Sequence, residues 1–220
     1  MAVDAAGKIY ASNETGGSSP GSVSIYNSNG LLAQTIVTPT GPQGVAVAPN
    51  GNVWMAIVPL GTVQAYSPAG TLLTTIPASS GLYGPTAVAV DSNEKVYVTN
   101  NGGNNVTTYL SDGTRTTPTI NISTPYGIAV DAAGKIYVAN GSGIYTFNPD
   151  GSPSSPTITG SSFGFVAVDA TGNIYGTANT MIMFPFPSSS CTLKTYNSSG
   201  VPITPTILKP VVNCTGVAVH

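Results

Sequence analysis

The residues able to do acid, base or nucleophilic chemistry are few and unevenly placed. The single histidine is His220, the last residue of the sequence, so neither a Ser-His-Asp nor a Cys-His arrangement has a base. Four aspartates share one motif position: Asp4, Asp91, Asp131 and Asp169. Drawn as a ring they would suit a cation, but Ala48 breaks the set. Each of them opens a tight turn, where an aspartate that caps backbone N–H groups is fully accounted for. Structural caps are therefore expected, with no metal and no cofactor. The two cysteines, Cys191 and Cys214, are too few for a zinc site.

What remains is neutral chemistry. Asn13, Asn100 and Asn140 stand at equivalent places after a short β pattern, and Tyr83, Tyr126 and Phe163 stand just ahead of another. Amides can order a ligand by paired hydrogen bonds, and aromatic faces can stack on sugar rings. A loop carrying Met181, Met183, Phe184 and Phe186 would expose apolar area, as partner contacts do.

These residues are set by a repeat. Ala2-Val3-Asp4-Ala5-Ala6-Gly7-Lys8-Ile9-Tyr10 recurs unchanged from Ala129 to Tyr137, with looser copies from Val45 to Trp54, Val88 to Tyr97 and Val166 to Tyr175. A truncated copy, Gly216-Val217-Ala218-Val219, precedes His220. Each unit reads as four short strands: a small Gly-Val-Ala-Val strand, a turn, an Ile/Val-aromatic strand, a third β-branched strand, a Gly turn and a Thr/Pro/Ile-rich outer strand. Units of this length with turns at fixed places predict the blades of an all-β propeller. The blades should span about 1–43, 44–86, 87–126, 127–164 and 165–215, with a closing strand at 216–220. The whole chain then forms a single domain.

The units resemble NHL repeats, whose usual form runs Gly, Val or Ile, Ala, Val, Asp, two variable residues, Gly, Asn or Lys, Ile or Val, Tyr. The resemblance covers nearly the whole chain and implies a propeller, while NHL propellers commonly have six blades. Five units and a spare strand leave three closures: a closed five-bladed ring, a window on a longer six-bladed array, or a strand exchanged with another copy. The five-bladed ring is the expectation. Related propeller lyases and lactonases rely on His, Glu or paired carboxylates near the channel. Here the positions ahead of the inner strands are Gln43, Thr86, Tyr126, Gly164 and Thr215, so a non-enzymatic protein is expected.

Composition narrows the partners. Only 6 Lys+Arg and 8 Asp+Glu occur in 220 residues, 6% charged against about 25% in typical soluble chains. The net charge of -2 gives no footprint for nucleic acid. No apolar run approaches the roughly 20 residues of a membrane span, and no signal-peptide pattern precedes the first repeat. Most charge falls in the short turns of one face, so the irregular loops at 12–22, 79–85, 100–105 and 177–191 form a nearly neutral opposite face. Irregular loops on a rigid scaffold are where sites are built. A glycan, peptide or protein ligand is expected there, bound by Asn100, Tyr126, Asn140, Tyr83 and Phe163 with Met181, Met183, Phe184 and Phe186. Cys191 and Cys214 both fall in loops of that face, so a disulfide fits. Such a bond belongs to an oxidising, extracellular or cell-surface setting. A structural subunit of an assembly is the alternative, and a lyase- or lactonase-like enzyme the third reading.

Overall fold

β-branched and aromatic residues alternate with small ones between glycine turns, and the chain responds with strands rather than helices. The computed structural model describes residues 1–13, 19–182, 188–204, 207–211 and 216–219. The first sheet is β1 (Ala2–Val3), β2 (Ile9–Asn13), β3 (Gly21–Tyr26) and β4 (Leu32–Thr38). The second is β5 (Gly44–Val47), β6 (Val53–Ile57), β7 (Thr62–Tyr66) and β8 (Leu72–Ile76). The third is β9 (Pro85–Val90), β10 (Val96–Asn100), β11 (Asn105–Tyr109) and β12 (Arg115–Asn121). The fourth is β13 (Pro125–Val130), β14 (Ile136–Asn140), β15 (Gly143–Phe147) and β16 (Pro153–Thr159). The fifth is β17 (Phe163–Val168), β18 (Ile174–Ile182), β19 (Ser188–Tyr196) and β20 (Ile207–Val211). Within each sheet neighbouring strands pair antiparallel in chain order. Five four-stranded sheets so ordered are the blades of a five-bladed β-propeller.

Each blade is dry only because of its neighbours. Between the second and third blades, Trp54, Ala56 and Val63 meet Val88, Val96, Val98 and Tyr109. Tyr10, Val23 and Ile25 meet Val53, Met55 and Tyr66 between the first and second. The next two junctions repeat the arrangement, with Tyr97 and Val106 against Ile136 and Val138, and Tyr137 and Ile144 against Val166 and Ile174. At the axis the inner strands approach closely. A Cβ on Gly44 would lie 2.6 Å from Ala87 Cα, and one on Gly127 2.7 Å from Phe165 Cα. The glycine that opens the inner-strand motif is thus there to admit the next blade's backbone.

The turn between strands one and two carries a second device. Asp91 Oδ1 accepts hydrogen bonds from the Asn93 and Lys95 amides, each within 2.9 Å, while its Oδ2 accepts the Tyr97 hydroxyl at 3.1 Å. Asp4 with Tyr10, Asp131 with Tyr137 and Asp169 with Tyr175 repeat it. The expected cap is present, and the tyrosine six residues on turns it into a clasp between the turn and the second strand. In the second blade the aspartate is Ala48 and the tyrosine Trp54, so both halves of the clasp are missing together. Burial, and then the bond and charge of Asp4, push the Tyr10 hydroxyl up to about 12. Tyr97 and Tyr137 are raised in the same way, by burial first and their aspartates second. The neutral phenol is the stabilised form, so this contribution is complete below the free-tyrosine value of about 10 and is lost as pH rises through about 12 for Tyr10. Burial opposes ionisation of Asp169, but hydrogen bonds from Thr171, Asn173 and Tyr175 outweigh it and hold that carboxyl well below its usual range.

Two expectations need correction. The insert at 177–191, read as a loop, continues a hairpin: Asn179 pairs with Cys191, Met181 with Ser189 and Ile182 with Ser188. Cys191 is therefore a strand residue. Residues 216–219, read as a closing strand, join no β-ladder among the described residues, and His220 lies outside them.

The clasp makes a measurable prediction. Tyr97→Phe and Asp91→Ala should each cost about 1–2 kcal/mol in urea unfolding at neutral pH, because both groups are buried and each leaves the other unpaired. The double variant should fall short of the sum by about 1 kcal/mol; strict additivity would remove the clasp as a unit.

Candidate functional site

The axis offers two openings. On the turn side a cavity of about 520 Å³ is walled by residues 3–6, 47–49, 90–92 and 130–132 together with Gly51. Asp4, Asp91 and Asp131 stand at its wall, yet both oxygens of each carboxyl are already engaged by the clasp. Among the described residues no group of three metal-capable side chains exists. At the other end the channel narrows to about 40 Å³ between residues 43–45, 87–88, 127–128, 165–166 and 216–217 and Met1. That is room for about one water, and the buried Gln43 Oε1, which has no protein partner, is an acceptor beside it.

The loop-rich face holds the expected aromatic residues, and here the structure separates them. Tyr83 is 69% exposed and Tyr126 44% exposed, whereas Phe163 is 1% exposed. The ring of Phe163 fills the space over Gly176, where a Cβ would come within 2.6 Å of it, and meets Tyr196 edge-on at 6.3 Å. It offers no face to a ligand.

Tyr83 is held rather than loose. Its amide donates to Asn100 Oδ1 at 3.2 Å, its carbonyl accepts the Gly103 amide at 3.2 Å, and the Gly84 carbonyl accepts the Asn101 amide at 3.0 Å. Its ring lies over Gly102, where a Cβ would come within 2.7 Å of the ring. Tyr126 is anchored across the blade boundary: its carbonyl accepts from the Thr99 hydroxyl at 2.9 Å, with the Thr86 hydroxyl 3.1 Å away and 3.0 Å from that of Thr99. This threonine pair was not singled out from the sequence; its signal is two hydroxyls on directly facing strands at the blade's open end.

The asparagines prove to be struts. Asn100 is fully buried and donates to Asn105 Oδ1 and Thr107 Oγ1, both at 2.9 Å. Asn140, 5% exposed, donates to the Ser123 carbonyl and accepts from the Ser142 and Gly143 amides. Every polar atom of the two side chains is engaged within the protein, Asn100 bracing the linker that carries Tyr83 and Asn140 the one that leads into Tyr126. Met181 lies on the long hairpin, whereas Met183, Phe184 and Phe186 lie outside the described residues. Cys191 is buried and is not a free thiol; Cys214 lies outside the described residues.

Solved structures share this fold. A chain of the nidogen/laminin complex superposes with TM-score 0.75 at 14% identity, over 97% of this chain and 82% of that one. Hydrazine synthase of Kuenenia stuttgartiensis gives TM-score 0.62 at 18% identity over 76% of this chain and 49% of that one, so this chain spans about half its length. An inactive histidine-to-alanine variant of virginiamycin B lyase from Staphylococcus aureus, solved with quinupristin, gives TM-score 0.62 at 12% identity over 90% and 76%. At such identities the likeness is one of fold alone. No family model and no curated protein matches the chain.

The strut role is testable. Asn100→Ala should cost about 1–3 kcal/mol, since the Tyr83 amide and the Thr107 hydroxyl lose a buried partner. Hydrogen exchange at the Tyr83 amide should quicken ahead of global unfolding; unchanged exchange there would contradict the role.

Proposed function

We propose that the chain is an extracellular, non-catalytic, NHL-type recognition module that binds a neutral, hydroxyl-rich ligand, a glycan foremost, on its loop-rich face. The observation that carries this is the Tyr83 ring, largely exposed yet fixed by backbone bonds on both sides. A rigid exposed aromatic supplies contact area without an ordering cost on binding. The residues that Tyr83 itself touches, Asn100, Gly102 and Gly103, carry no charge, which favours hydroxyl and amide groups over phosphate or carboxylate. The presence of a propeller in the nidogen/laminin complex supports a binding role for this architecture.

Several features speak against catalysis. The lyase neighbour bears its inactivating change at a histidine, whereas the single histidine here is His220. The four motif aspartates are committed to their clasps, and Gln43, Thr86, Tyr126 and Gly164 at the starts of the inner strands include no carboxylate, histidine or lysine. The extracellular setting rests on a Cys191–Cys214 disulfide, which would close a loop of 23 residues and contribute on the order of 3 kcal/mol.

On an array of neutral glycans the protein should show selective binding. Tyr83→Ala and Tyr126→Ala should each weaken it several-fold to about tenfold, the worth of one stacked ring, with thermal stability unchanged. Absence of any neutral ligand, or full affinity in both variants, would sink the reading. Alkylation of the unreduced native protein should label neither cysteine; labelling of both would remove the disulfide.

A further inference from the structure

Asparagine followed by glycine is a chemically labile pair. The backbone nitrogen of the glycine can attack the side-chain carbonyl carbon of the asparagine, and glycine, without a Cβ, hinders that approach least. Four such pairs occur here: Asn29-Gly30, Asn50-Gly51, Asn101-Gly102 and Asn140-Gly141. The fold treats them differently.

In the first two, the asparagine is the third residue of a tight turn, so the glycine amide is the group that closes it. Gly30 N–H donates to the Asn27 carbonyl and Gly51 N–H to the Ala48 carbonyl, each at 2.8 Å. The side chains are occupied as well: Asn29 Oδ1 accepts the Leu31 amide at 3.1 Å and Asn50 Oδ1 the Asn52 amide at 2.9 Å. In the fourth pair the head group itself is clamped. Asn140 is buried, with Oδ1 accepting the Ser142 and Gly143 amides and Nδ2 donating to the Ser123 carbonyl. Asn101 is different. It is the second residue of its turn, which the Gly103 amide closes onto the Asn100 carbonyl at 3.1 Å. The Gly102 amide therefore falls inside the turn, exposed and with no partner among the described residues. The Asn101 head group makes one long bond, from Nδ2 to the Pro125 carbonyl at 3.4 Å.

We propose that Asn101 is a site of spontaneous modification, at which the protein turns a neutral side chain on its loop-rich face into a carboxylate. The Gly102 nitrogen bonds to Asn101 Cγ as the Cγ–Nδ2 bond breaks, and the proton shed by the Gly102 nitrogen leaves with Nδ2 as ammonia. Water then opens the resulting cyclic imide at either of its two carbonyl carbons, leaving aspartate or isoaspartate. No oxidant, cofactor or second protein is consumed.

The position gives the new charge its effect. The Asn101 amide donates to the Gly84 carbonyl, next to Tyr83, at 3.0 Å, and the side chain donates to the Pro125 carbonyl, next to Tyr126. One residue thus bridges the two linkers that carry the exposed rings. After conversion an acceptor faces the Pro125 carbonyl where a donor stood, so that side of the bridge is lost. An unperturbed aspartate is ionised at neutral pH, and this one stands next to Gly102, the floor of the Tyr83 ring. Loss of affinity for a neutral ligand then follows, a step that rests on the function proposed above.

The test is to age the purified protein in mildly alkaline buffer at physiological temperature and follow all four pairs by peptide mapping with mass analysis. Asn101 should convert at least ~10-fold faster than Asn29, Asn50 or Asn140, whose reaction needs local opening. In urea, where the turn bonds are gone, the four rates should close to within about threefold. A native Asn101 rate no faster than the other three overturns the proposal. So does an equal lead for Asn101 in urea, because the fold would then contribute nothing. Isoelectric focusing should show an acidic band growing with age and absent from Asn101→Gln; its persistence in that variant assigns the charge elsewhere and overturns the site. On the glycan array, protein that binds equally when fresh and when aged overturns the coupling to Tyr83 and Tyr126. Protein that binds nothing when fresh removes the ligand reading instead, while the mass analysis still decides the modification.

Discussion

Burial of both faces of every sheet is the requirement from which the architecture follows. A four-stranded sheet with Val, Ile and aromatic residues on both sides cannot shield itself. Sequential blades solve this by covering each other, and the twist of each sheet bends the row into a ring. The inner strand must then be narrow, which is why glycine and alanine recur at the axis while tyrosine and tryptophan sit one strand further out.

The repeat made the fold readable, because turns at fixed intervals and one aromatic position per unit leave few alternatives. What could not be read was how distant atoms meet. The caps on Asp4, Asp91, Asp131 and Asp169 were legible as local chemistry, but the tyrosine hydroxyl that completes each of them arrives from the next strand. The joint loss of both partners at Ala48 and Trp54 was the visible trace of that pairing. The hairpin at 177–191 hid for the opposite reason: its serines and threonines carry no alternation strong enough to distinguish a strand from a loop.

At the loop face, residue type alone does not divide the labour between contact and support. An asparagine at a strand end can face a ligand or tie down a linker, and only burial decides; Asn100 and Asn140 tie down linkers. Phe163 opens its blade's inner strand and Tyr83 lies two residues ahead of one; Gly176 opens a hole that takes the first ring in, while Gly102 supplies a floor that keeps the second out. Such outcomes depend on a glycine far along the chain, which no local pattern encodes.

The nine residues Ala2 to Tyr10 are identical to Ala129 to Tyr137. One copy lies in a blade flanked on both sides, with Ile136 fully buried, and the other in a blade with one side half-covered, where Ile9 is half-buried. Propensity, turn chemistry and unfolded-state behaviour are the same for both, so they cancel in any comparison between the two. The molecule thus carries its own matched control, in which a difference between the copies isolates what a neighbouring sheet contributes to an otherwise fixed stretch of polypeptide.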